Sequence, residues 1–432
     1  MSNFFKDSLK KMSDLNLVDF SKFSQRGIEK ESLRVNNSNI STSDHPKILG
    51  AALTNPYITT DFSEALLELI TAKASSVEKA LSDLKVILAY THQNIDDIVW
   101  PGSIPCVIEE ESDIRIAHYG NSNSGRLKEL YRIGLSYRYG SMMQCVSGIH
   151  YNFSLSENFF RKWQGSPSEF QPFQDKKYLN LIRNFRKNAW LLLYLFGASP
   201  IVPKTFLTNR NNFLKPLNDE DLYLENATCL RMSELGYMSK AQDDLNIAYN
   251  DLDEYISDLK HALTKKHEPY EKIGLKKGDK HIQINDSIIQ IENEYYSSIR
   301  PKRVVQSGQR PINVLKNKGI EYIEVRCLDN NPFLRGSIDK HTAYFIEAYL
   351  MVSLIDENYP FDENRIKEIQ DNWQNTVRKG RDPNLLLKRD GKTISVKDAA
   401  EEVFSKIYDY AYALPIEADD LKKKILRSLD IQ

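Results

Sequence analysis

The chain has 432 residues, with 58 Lys and Arg against 59 Asp and Glu, a formal net charge of −1, and a composition 41% hydrophobic and 27% charged. A balance this near to neutral gives no global basic field for nucleic acid or an anionic membrane, and neither partner is expected. The length could hold two or three domains, but no low-complexity linker, repeat or composition shift divides it, so one large domain is expected.

The amino-terminal segment MSNFFKDSLKKMSDLNL is amphipathic and charged, without the apolar core or cleavage site of a signal peptide, and predicts a cytoplasmic protein. Residues 27–35, GIEKESLRV, alternate as a strand. Glu29 and Glu31 then share a face with Leu33 and Val35, while Lys30, Ser32 and Arg34 point the other way. Two like charges among aliphatics are costly unless a cation neutralises them, and an all-oxygen donor set suits Mg²⁺. A lone Glu-x-Glu more often marks a solvated strand edge. Residues 59–71, TTDFSEALLELIT, read either as a helix with Asp61, Glu64, Ala65 and Glu68 on one face, or as a strand whose second half aligns Glu64, Leu66 and Glu68. In both, Glu68 is an acid inside an apolar run and asks for a metal or an arginine.

Helical periodicity follows at residues 77–95, through Val77, Leu81, Leu84, Leu88 and Thr91. GNSNSG at 120–125 precedes a helical run carrying Arg126, Tyr131, Arg132 and Leu135; it matches neither a P-loop nor a dinucleotide-binding fingerprint, and its Ser and Asn suit helix caps. Residues 149–155 read as a strand with His150, Asn152 and Ser154 opposite Ile149, Tyr151 and Phe153. A lone His is usually structural, but a wholly polar strand face raises its chance of being a ligand. The helical stretch 178–196 contains the most apolar run, WLLLYLFGA, which is far short of the roughly 20 residues a membrane span needs. Another helix is expected at 245–263, then strands at 281–284 and 288–296 joined by a turn at Asn285-Asp286. The second of these aligns Gln290, Glu292, Glu294 and Tyr296 opposite Ile289 and Ile291. Arg300-Pro301-Lys302-Arg303 concentrates three cations, either a polyphosphate clamp or a solvated charge run. Residues 320–328 read as a strand with Tyr322, Glu324 and Arg326 on one face, and helices close the chain at 341–355 and 396–412. Cys106, Cys145, Cys229 and Cys327 lie far apart with no CxxC pair and read as reduced thiols.

Strands scattered among unevenly spaced helices predict an α+β fold with a mainly antiparallel sheet. One sheet could turn all these polar strand faces toward one funnel. Several acids plus His150 for hard cations, with arginines nearby for anions, suit nucleotide-dependent phosphoryl chemistry.

RGIEKESLRV, ITTDFSEALLELIT, YGNSNSGRLKELYRIGLSYRYG, MQCVSGIHYNFSL, YLFGASP, LRMSELGY, QIENEYYSSIRPKR and GIEYIEVRCLDNNPF closely resemble, in order, blocks of the proteobacterial-type glutamate-cysteine ligase family. The resemblance runs from about Ser24 to about Pro383, and residues 384–432 match less clearly, as a shortened carboxyl-terminal helical part of a single catalytic domain over 1–432. It implies a fold similar to the catalytic domain of glutamine synthetase, with a curved antiparallel sheet forming the active-site funnel. It also implies the ATP-dependent joining of L-glutamate to L-cysteine through a γ-glutamyl phosphate, in a cytoplasmic monomer using Mg²⁺, with Mn²⁺ as an alternative ion. By the same resemblance Glu29, Glu31, Asp61, Glu68, His150 and Glu324 are metal ligands, and Glu324 and Arg326 are catalytic. Arg231 and Arg326 are implied to hold the glutamate and the transferring phosphoryl group. The resemblance further implies that Phe62, Tyr131, Leu135, Gln144, Tyr237 and Tyr296 form the cysteine pocket and that Arg132, Lys302 and Arg303 contact phosphate.

Overall fold

Period-two alternation builds the centre of the molecule. In a computed structural model that describes residues 3–165, 169–208, 212–236, 238–242, 245–306 and 308–431, β1 (Ser24–Asn36), β2 (Ile58–Thr60), β3 (Leu66–Ile70), β4 (Ile149–Leu155), β5 (Ile299–Lys302) and β6 (Tyr322–Leu328) pair antiparallel in the order β5-β6-β4-β1-β3-β2. Two short strands, Asn39–Ile40 and Ile98–Val99, extend the far end of β1. The fold is therefore α+β, as the scattered strands predict.

One face of the sheet is apolar. Ile28, Leu67, Leu69, Ile149, Tyr151, Phe153, Ile299, Ile323 and Val325 join a single large core with the helices laid across them. Among the helices are α1 (Asn3–Asp14), α2 (Val77–Asn94), α3 (Asn123–Tyr139), α4 (Phe170–Asn188), α5 (Trp190–Phe196), α6 (Leu252–Thr264), α7 (Lys340–Ile355), α8 (Glu363–Lys379), α9 (Val396–Tyr412) and α10 (Asp419–Ile431), and all of these but α3, whose Leu135 lies in a separate cluster, contribute to this core. The start of each of α2, α3, α6, α7 and α9 is fixed by Ser76, Ser122, Asp251, Asp339 or Ser395, whose side chain accepts from the N–H three residues on. α7 is apolar all round because it packs against α4, α9 and α10 at once. The segment 384–431, a hairpin of Leu386–Arg389 with Lys392–Ser395 followed by α9 and α10, thus shares the main core. Among the described residues no helix is long and apolar enough to cross a membrane.

Three expectations change. The helix expected at 178–196 starts earlier and breaks at Ala189, which lets α5 turn onto α8 and β6. The helix expected from 245 begins only at Leu252, where Asp251 caps it. The strands expected at 281–284 and 288–296 are not a sheet hairpin: Lys280–His281 pairs only with Lys276–Lys277, and Glu292–Glu294 is a 3₁₀ turn. Local bonds replace the ladder there, with Gln290 N–H donating to Glu294 Oε2 (2.6 Å) and Glu294 N–H to the Ile291 carbonyl (3.0 Å).

Candidate active site

Residues directly opposed in an antiparallel pair share a face, so register alone assembles the polar side of the sheet. Glu31 opposes Glu68, Glu29 opposes His150, and Glu324 opposes both Asn152 and Arg300. The ambiguity of the 59–71 segment resolves as a β2–β3 hairpin, with Glu68 on the open face and Asp61 at the turn. Glu64 instead accepts the backbone N–H groups of His45 (2.6 Å) and His118 (2.7 Å).

The contacts on this face are close. His150 Nδ1 lies 3.1 Å from Glu29 Oε2, and its Nε2 lies 3.5 Å from Glu31 Oε1. Asn152 Nδ2 donates to Glu29 Oε1 at 2.8 Å, and Gly148 N–H to Glu31 Oε2 at 3.1 Å. One donor atom from each of Glu29, Glu68 and His150 falls within 4.8 Å of the others. Across β4, Glu324 Oε1 is 3.0 Å from Arg326 Nη1 and its Oε2 is 3.6 Å from Lys302 Nζ.

Charge is unevenly balanced over the face. Burial, with Glu29, Asp61 and Glu31 nearby, raises Glu68 well above the ordinary carboxylate range, and burial also raises Glu31. For Glu324, burial is outweighed by Lys302, Arg326, His150 and Arg300, which hold it well below that range. Burial pushes Glu29 up, but the hydrogen bond and charge of His150 together with Lys302 leave it below its ordinary value. The β1–β3 side is thus rich in uncompensated acid, and the β5–β6 side is where cations gather. Carboxylates plus one imidazole on the acid side form a hard-cation donor set, and Glu324 Oε2 is buried without a hydrogen-bond partner.

A register shift between Val325 and Leu328 marks a bulge in β6. The register that runs up to it already sets Arg326 opposite His150, with Nη1 3.5 Å from Nδ1. Arg231 secures the bulge from behind: its Nη2 donates to the Arg326 (3.2 Å) and Leu328 (3.1 Å) carbonyls and its Nε to Ser147 (2.7 Å). It passes so close to Gly148 that a Cβ there would sit 1.7 Å from Nη2. Its Nη1 also reaches Met232 Sδ at 2.6 Å and its Nε lies 3.7 Å from Asp329 Oδ1, so the guanidinium is anchored beside the Arg326 backbone.

The cations assigned to phosphate contact are spread over the sheet. Lys302 faces Glu324, whereas Arg303 donates to the carbonyls of Lys318 and Gly319 at the end of the short helix Pro311–Lys318. Arg132 lies at the other edge of the sheet, 3.6 Å from Asp61 and over the Tyr119 ring. Arg300, buried opposite Glu324, donates to the carbonyls of Asn293 and Tyr295.

Phe62 and Leu135 are buried in a satellite cluster with Leu33, Val35 and Leu66, and Tyr131 packs against it. Gln144 Nε2 donates to the Tyr296 hydroxyl at 3.3 Å. Tyr237 lies outside the described residues. A cavity of about 1010 Å³ opens beside Tyr296 and Ser298, lined on its far side by Met238, Trp373 and Arg378, and is large enough for a small polar substrate. Sequence reasoning missed Gly148 and Asn152 as partners of the acids and Arg138 and Gln242 behind Tyr296; register against β1 is the signal that could have found Asn152.

A family model described as glutamate-cysteine ligase matches residues 9–376. The glutamate-cysteine ligase of Janthinobacterium sp. (strain Marseille) is 43% identical over 425 residues, covering 97% of this chain and 80% of that protein. That of Pseudomonas aeruginosa (strain UCBPP-PA14) is 46% identical over 393 residues, 90% of this chain and 74% of the relative. Among solved structures, glutamate-cysteine ligase from Francisella tularensis in complex with AMP superposes with a TM-score of 0.88 at 42% identity, over 95% of this chain and 82% of that one. A bifunctional glutathione synthetase from Pasteurella multocida superposes with a TM-score of 0.72 at 25% identity, over 97% of this chain and 49% of that one.

Proposed function

The chain belongs to the glutamate-cysteine ligase family, and on that premise we propose that the open face of its sheet is where the substrates react. The enzyme uses ATP to join the γ-carboxylate of L-glutamate to the amine of L-cysteine, releasing γ-glutamylcysteine, ADP and phosphate. The observation that carries the site assignment is the register that sets Glu29, Glu31, Glu68, His150 and Glu324 on one face.

Glu29, Glu31, Asp61, Glu68, His150 and Glu324 would hold Mg²⁺; the buried Glu324 Oε2, which has no hydrogen-bond partner, and Glu68, raised by burial among other acids, support this. Bound Mg²⁺ supplies charge neutralisation for the triphosphate. Arg326 and Lys302 lie where the transferring phosphoryl group carries negative charge. The glutamate γ-carboxylate takes the γ-phosphoryl group, ADP leaves, and the acyl phosphate accepts the cysteine amine, which expels phosphate and gives up a proton. Phe62, Leu135, Tyr131, Gln144, Tyr237 and Tyr296 surround the cysteine side chain, and the apolar wall keeps water from the acyl phosphate. Arg231 acts on the glutamate by holding Arg326 in place, and Arg132 serves at the Asp61 edge. All named side chains come from one chain, which works as a monomer with a single catalytic domain; its four unpaired, buried thiols suit a reducing cytoplasm.

The test is ADP release with glutamate, cysteine, ATP and Mg²⁺ each omitted in turn, followed by a panel of amines. ADP should require all four. An amine with a higher kcat/KM than cysteine, or turnover without divalent metal, would overturn the corresponding part of the assignment.

A further inference from the structure

Glu294 sits in the run QIENEYYSS, reads from sequence as another inward-facing acid, and belongs to no part of the metal face. It is 2% exposed and takes three bonds. Its Oε1 accepts from Arg138 Nη1 at 3.2 Å and from the Tyr139 hydroxyl at 2.7 Å, and its Oε2 accepts from Gln290 N–H. Arg138 in turn donates to Gln283 Oε1 (3.0 Å) and to the Ser287 carbonyl (3.0 Å), so one guanidinium organises the whole segment. Gln290 crosses α3 where Gly134 leaves room: a Cβ there would lie 2.2 Å from its Oε1, and its Nε2 donates to the Tyr131 carbonyl at 3.2 Å.

These groups converge on Tyr296. Gln242 Nε2 donates to the Glu294 carbonyl (3.0 Å) and approaches the Tyr139 hydroxyl (3.5 Å), while its Oε1 accepts the Tyr296 N–H at 2.9 Å. The Tyr139 and Tyr296 rings meet edge to face at 6.0 Å. Burial holds the Tyr139 hydroxyl protonated, so it remains a donor to Glu294. A buried charge with this many partners fixes one arrangement, because each alternative leaves a polar group unpaired.

We propose that Glu294 and Tyr139, acting through Gln242, are positioning residues that set the Tyr296 wall of the amine-acceptor pocket and so determine how well the enzyme holds cysteine. The proposal rests on the assignment of Tyr296 and Gln144 to that pocket. Tyr139→Phe removes one hydroxyl and leaves Glu294 paired with Arg138. Gln242→Leu removes the bonds to the Tyr296 N–H and to the Glu294 carbonyl without touching the charge.

Both variants, together with Tyr296→Phe, are assayed for KM of cysteine, glutamate and ATP, and for hydroxamate formation with hydroxylamine, an amine too small to use the pocket. Tyr139→Phe should raise the KM for cysteine about 5- to 10-fold, the effect of one lost hydrogen bond, and Gln242→Leu by at least as much. KM for glutamate and ATP, and the hydroxylamine rate, should stay within about twofold, which a merely structural defect would not permit. An equal fall in the cysteine and hydroxylamine rates overturns the proposal. A raised cysteine KM in Tyr296→Phe with unchanged values in the other two overturns the positioning alone, and an unchanged KM in Tyr296→Phe overturns the pocket assignment beneath it.

Discussion

Glu324→Gln separates charge from shape at the centre of the site. The glutamate is 2% exposed, 3.0 Å from Arg326 and 3.6 Å from Lys302. With an effective dielectric constant of about 20, each contact is a gross attraction of about 5 kcal/mol. Desolvation offsets most of this, and losing one partner of a buried pair typically costs about 3–5 kcal/mol. Here the cations keep 26% (Lys302) and 13% (Arg326) of their side-chain exposure and can rehydrate, so the low end applies. A chain of 432 residues unfolds with an entropy near 0.9 kcal/mol/K, so about 3 kcal/mol lowers Tm by only about 3 °C. Turnover should fall much further, by at least about 100-fold, because a preorganised charge at the phosphoryl-transfer site is removed. Calorimetry and ADP release on the same sample decide it. Glutamine activity within about fivefold of the parent enzyme would refute the role of the carboxylate charge. The pH dependence follows in sign: a carboxylate held below its ordinary value stabilises the fold above that value and ceases to do so as pH falls through the depressed one. The Tm difference between the two proteins should therefore shrink below about pH 4.

Two further outcomes are expected. Gly148→Ala should displace Arg231, since the new Cβ would sit 1.7 Å from its Nη2; stability should drop by about 1–3 kcal/mol and kcat should fall with it as the bulge loosens, and parental Tm and kcat would contradict the support given to Arg326. Lys30, 2% exposed on the core side of β1 with its Nζ against Ser32 Oγ, is pushed down to about 7 by burial. A lysine held below its ordinary value weakens the fold at pH values beneath that ordinary value, with the full cost reached below pH 7. Lys30→Met should raise Tm by several degrees at pH 7, and the gain should vanish near pH 10; a gain equal at both pH values would show that packing, not charge, is responsible.

How much was legible depended on whether a segment obeyed its own periodicity. β1, β4 and β6 alternate without interruption over their first residues, so Glu29, Glu31, His150 and Glu324 could be put on one face before any pairing was known. QIENEYYSS alternates as well, yet Glu294 binds the backbone of its own segment and coils it, an outcome that polarity alone does not distinguish from a strand. The break at Ala189 has neither glycine nor proline to announce it. The separation of Arg132 from Lys302 is a matter of strand order, which no local pattern contains. The bulge in β6 was equally hidden, because an extra residue is defined only against the neighbouring strand.

That bulge makes the length of β6 part of the site. Arg326 stands opposite His150 in the register that runs up to the bulge, and the extra residue on β6 falls just before Leu328, where Arg231 holds the Arg326 and Leu328 carbonyls. Exchanges along the strand can be absorbed one side chain at a time, but a single-residue deletion there restores plain alternation and withdraws the carbonyls that Arg231 grips. Descendants of this chain are accordingly freer to drift in composition along β6 than in residue count, and an insertion or deletion there costs more than most substitutions.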